Sequence, residues 1–148
     1  MSASGGMDCG AIHWRLVELG VDHACGLASL LRVMGRRLGI TEVPGFVDVM
    51  VHGDVDFVKA VLGGSVVIER SLVPNLFSRA VLISMVPYAS LEDLVVSVVV
   101  NDDPWYVNTV RELLGRDNVR LNLRWEWINE VLARYGVRER FEELVMRY

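Results

Sequence analysis

Three observations predict an α+β fold for this 148-residue chain. Val-rich runs of strand character recur through its middle, stripes at helical spacing stand at both ends, and two stretches forty-nine residues apart follow the same course. In Val49 to Val61 and again in Val98 to Val110, an apolar run ends in a short polar turn. An acid (Asp54, Asp103) then stands where a helix should start, and an aromatic-Val pair follows three residues on. Two strand-helix-strand units in one small sheet imply a ferredoxin-like βαββαβ plan. One extra strand, an N-terminal helical hairpin and two C-terminal helices complete it; a doubly wound α/β sheet is the alternative.

Each element has a local reason. After a flexible start at residues 1–8, Asp8 can cap a helix from Cys9 to Leu19, and Gly20 follows where a left-handed residue is wanted. Asp22 is the expected N-cap of a second helix, whose stripe of Leu27, Leu30, Leu31, Met34 and Leu38 ends at Gly39. This hairpin occupies residues 9–39. Strands are expected at Phe46 to Val51, Ser65 to Arg70, Arg79 to Val86, Leu94 to Val100 and Asn118 to Leu123, because β-branched side chains suit a pleated surface. Helices fill two gaps, Val55 to Leu62 and Pro104 to Leu114, the latter with Pro at its first position. The sheet core thus spans residues 46–123. Residues 124–148 close the single domain with two helices, one presenting Trp125, Ile128, Leu132 and Tyr135, the next Val137, Phe141, Leu144 and Tyr148.

Composition narrows the function classes. Hydrophobic residues make up 52% and mean hydropathy is +0.33, a surplus that a membrane or a partner would have to absorb. The longest apolar region, Ala80 to Val100, is interrupted by Pro87, Glu92 and Asp93 and does not read as a membrane span. No signal peptide is visible, so the expected location is cytoplasmic, where Cys9 and Cys25 would stay reduced. Glutamine, a thermolabile amide, is absent, which fits a thermophile source, whereas the bias of fourteen arginines over the single Lys59 has genomic base composition as its alternative explanation. A net charge of −4 argues against wholesale binding to nucleic acid or an anionic membrane.

Three side-chain sets could carry chemistry. Asp48, His52, Asp54 and Asp56 would suit a metal-dependent hydrolase, but the parallel between Asp54 and Asp103 favours helix capping, with Asp48 on a solvent-facing edge. Cys9, His13, His23 and Cys25 fall within seventeen residues. A helix through both His23 and Cys25 would point them apart, so the expectation there is a buried thiol and surface histidines. The third set is a strand face: Arg120, Asn122 and Arg124 alternate with Val119, Leu121 and Leu123 and lead to Trp127. Guanidinium on phosphate and a ring under a base would suit single-stranded RNA or DNA.

No Gly-x-Ser-x-Gly, metal-binding spacing or phosphate-cradling loop occurs, so no catalytic residue, metal or cofactor is assigned. The expected role is a non-enzymatic assembly or interaction subunit whose partner is a second copy or another protein. A nucleic-acid binder using Arg120, Asn122, Arg124 and Trp127, a metal hydrolase and a small-ligand regulatory module are the alternatives.

Overall fold

The computed structural model describes residues 8–146. Residues 1–7 of the expected flexible start, and Tyr148 of the last helical stripe, lie outside the described residues. The first helix, α1 (Cys9–Glu18), begins where its cap dictates, with Asp8 accepting from the Ala11 N–H at 2.9 Å. The chain then departs from the expected hairpin. His23–Cys25 is a short strand, β1, and α2 (Leu27–Leu38) starts only after Gly26. A three-residue strand is too short to show any alternation, and here it abuts a strong helical stripe that hides it.

The first strand-helix-strand unit forms as expected from β2 (Val47–Val51), α3 (Val55–Leu62) and β3 (Val66–Arg70), the two strands lying parallel with Val47 opposite Val66. Asp54 caps α3 through the Phe57 N–H at 2.9 Å. A four-residue helix, α4 (Leu76–Arg79), follows. The single strand expected from Arg79 to Val86 is instead a hairpin of β4 (Val81–Ile83) and β5 (Val86–Tyr88). Its two turn residues, Ser84 and Met85, have φ of 52° and 69°, the paired positive values that match strand twist in tight hairpins.

The second strand-helix-strand unit does not form. The strand expected from Leu94 to Val100 is α5 (Leu91–Val96) continued by a 3₁₀ segment, Ser97–Val100. Ser90 starts it by accepting from the Asp93 N–H at 3.0 Å, and its Leu94, Val95, Val96, Val98 and Val99 are all buried. A helix buried on every side has no polar face, so a valine run conceals its period. After α6 (Pro104–Leu114), capped by Asp103, the strand expected from Asn118 to Leu123 is also missing: α7 (Asp117–Arg120) and helical turns take its place. The described residues end in α8 (Trp125–Arg134), α9 (Arg138–Phe141) and a π-helical turn, Glu142–Met146.

The fold is therefore α+β, with a mixed sheet among the described residues in the order β3-β2-β1-β5-β4. Side chains alternate across it. Val49, Val51 and Val66 join Ile12 and Leu16 of α1 and Val55, Val58 and Leu62 of α3 in one core. Ala24 and Met50 face the other way, into a larger core built from α2, α5, α6, α8 and α9. The edges of the sheet are β3 and β4.

Candidate interaction surface

The acid and histidine set at the end of β2 divides. Asp48 is fully buried rather than solvent-facing: its carboxylate accepts from the Ala28 N–H, the Ser29 N–H and the Ser29 hydroxyl, each at 2.8 Å. From β3, Glu69 Oε1 accepts the Leu27 N–H at 3.3 Å. Two long-range acids thus cap α2, which has no capping side chain of its own. Gly26 makes room for them, since a Cβ there would stand 2.7 Å from the Asp48 carboxyl carbon and closer still to Glu69. Burial first, and the neighbouring Asp48 second, push the Glu69 carboxyl well above the ordinary range.

His52, Asp54 and Asp56 line an open cleft of about 530 Å³ at the carboxyl ends of β2 and β3, beside Arg70 and Ser71. His52 Nδ1 lies 3.2 Å from the Ser71 carbonyl, and Asp54 is occupied as a helix cap. Among the described residues no group of three or more His, Cys, Asp or Glu side chains is placed to hold a metal ion.

Cys9, His13, His23 and Cys25 converge, against the expectation of free thiols and surface histidines. The first two share a face of α1 at i, i+4, and the other two share a face of β1 at i, i+2. Cys9 and Cys25 form a disulfide with a Cα–Cα distance of 6.0 Å. Both histidines are buried, with His13 Nδ1 2.8 Å from His23 Nε2 and His23 Nδ1 2.7 Å from the Val21 carbonyl. The second contact makes His23 Nδ1 a donor, so His23 Nε2 accepts from His13. Burial lowers the pKa of both rings, the neighbouring His23 adding to the effect at His13.

The row of Arg120, Asn122 and Arg124 does not form as a strand face. Arg120 is paired with Asp117, and its guanidinium also donates to the Leu114 carbonyl. Leu121, expected on the apolar face, is exposed. Asn122, Arg124 and Trp127 nevertheless meet around one feature, a pair of adjoining clefts in which Arg79, Ser90 and Glu92 also take part. Arg79 is the residue that sequence reasoning missed. Its guanidinium makes two 2.9 Å bonds to the fully buried Asp93 and lies 5.3 Å from the Trp127 ring centroid. The Ser90-Leu91-Glu92-Asp93 capping sequence is the signal that could have located Asp93.

The most unguarded surface is the β4–β5 hairpin. Val81 to Tyr88 contains no charged residue, and Val81, Leu82 and Met85 are 48%, 62% and 79% exposed. An edge strand of this kind leaves backbone N–H and C=O groups available, and natural proteins commonly guard such edges with charge or proline. Two exposed aromatics, Trp14 and Phe77, have ring centroids 4.8 and 6.3 Å from that of His13. Comparison with known proteins finds no matching family model, no curated relative and no similar solved structure.

Proposed function

We propose that the chain is a non-enzymatic interaction subunit that assembles, with a second copy or with another protein, through the β4–β5 hairpin. One observation carries this reading: an uncharged, exposed apolar strand lies at an open edge of the sheet. Addition of a strand to such an edge couples backbone hydrogen bonds to burial of alternate side chains. The Leu82 and Met85 side chains would then leave water, which contributes about 1.5–3 kcal/mol for each large apolar group fully buried. A copy of the same chain is the partner favoured by the prevalence of two-fold homo-oligomers.

Native mass spectrometry of the untagged chain at near-physiological salt tests this directly. A dimer or higher oligomer that Leu82→Lys converts to a monomer with an unchanged far-ultraviolet circular dichroism spectrum and a cooperative unfolding transition is the expected result. Oligomers indifferent to Leu82→Lys would move the interface elsewhere. A monomer would redirect the search to a heterologous protein, and copurifying oligonucleotide or metal would sink the reading.

A further inference from the structure

We propose that the cleft between α2, β4 and the α7–α8 connection binds a medium-chain carboxylate, with the chain on its apolar floor and the carboxylate on the Arg124 guanidinium. The cleft holds about 370 Å³, inside the range of roughly 300–1,000 Å³ typical of small-ligand sites. Leu30, Met34 and Leu38, four residues apart on α2, line it opposite Val119 and Leu123. Such a wall accepts methylene groups, and the polar residues of the lining are Arg79, Ser90, Glu92, Asn118, Asn122 and Arg124.

The polar groups at the mouth select the head group. Arg79 is neutralised by Asp93, and the Ser90 hydroxyl donates to the same carboxylate. Asn122 Nδ2 donates to the Asn118 carbonyl, Asn118 Nδ2 to the Arg37 carbonyl, and Glu92 accepts the Arg124 backbone N–H. Of the two arginines that line the cleft, Arg124 is the one whose guanidinium has no acceptor among the described residues. One uncommitted planar fork beside an apolar trough matches one carboxylate on an apolar chain. A polyanion would need a second free cation, which the commitment of Arg79 removes.

Isothermal titration of the full chain with decanoate below its micellar range, and with decanol as the neutral analogue, tests the assignment. Expected is one equivalent of decanoate per chain. Arg124→Gln, an exposed change outside the core, should weaken decanoate roughly tenfold and leave decanol unaffected. Met34→Lys should block both. No saturable binding, several equivalents per chain, or decanoate affinity unmoved by Arg124→Gln would each overturn the proposal. Val81 belongs both to this cleft and to the proposed interface, but Leu82 lies outside the cleft and Arg124 and Met34 lie outside the hairpin, so each set of substitutions tests one surface without altering the other.

Discussion

At Asp93 a carboxylate with no exposure meets an arginine that is itself only about a quarter exposed, in a two-pronged contact. Removing one partner of such a pair strands the other in a poorly solvated site. Asp93→Ala should cost about 3–5 kcal/mol, read as a lowered midpoint in chemical denaturation. Glu69 is the opposite case, a carboxyl whose charge is unwelcome. Its folded pKa lies above the unfolded value near 4.5, so the folded chain keeps a proton that the unfolded chain has already lost. Its contribution to stability is complete below that pH and declines as pH rises toward the folded pKa. Glu69→Gln keeps an acceptor for the Leu27 N–H and removes the charge. Denaturation midpoints across pH 4 to 9 should show it more stable than wild type at the upper end and equal at the lower end. Neither partnership was legible in the sequence, because Asp48, Glu69 and the start of α2 meet only when β2 and β3 lie side by side beneath that helix.

Helix starts were the most legible features. Asp8, Asp54 and Asp103 all cap where local spacing placed them, since a cap is a contact over two or three residues. The resemblance between the two stretches that begin at Val49 and Val98 is thus a likeness of helix starts, and only the first is preceded by a strand. Asp22 shows the same chemistry at long range. Instead of starting α2, it accepts from the Asn75, Leu76 and Phe77 N–H groups at the head of α4. Asp22→Ala should therefore cost about 1–2 kcal/mol and raise amide exchange in residues 75–79, leaving the head of α2 protected. If exchange rose around residues 27–29 instead, the assigned partnership would be wrong. Ser90 poses a matching test for α5, where the valine run argued for a strand and the Ser90-to-Asp93 cap argued for a helix. The cap prevailed because burial on all sides rewards valine equally in either state.

Across the whole molecule, one covalent link joins α1 to the centre of the sheet. The Cys9–Cys25 disulfide closes a loop with a sequence separation of 16, and closing a loop of about that length restricts the unfolded chain by roughly 3 kcal/mol. Intact mass under denaturing conditions should be two hydrogens below the reduced value, and Cys9→Ala/Cys25→Ala should lower the thermal midpoint. An unchanged midpoint would make the link dispensable. The paired thiols escaped sequence reasoning because the expectation of reduced cysteines came from compartment, whereas pairing depends on α1 packing over β1. By itself the sequence determined the α+β class, the helices with local caps, and the β2-α3-β3 unit, all written in contacts between near neighbours. The tertiary structure decided the sheet order, the helical state of residues 91–100 and 117–120, and the meeting of Arg79 with Asp93 and of Asp48 with Glu69. Those outcomes turn on which distant surfaces exclude water together, and such information is held by the packed chain as a whole.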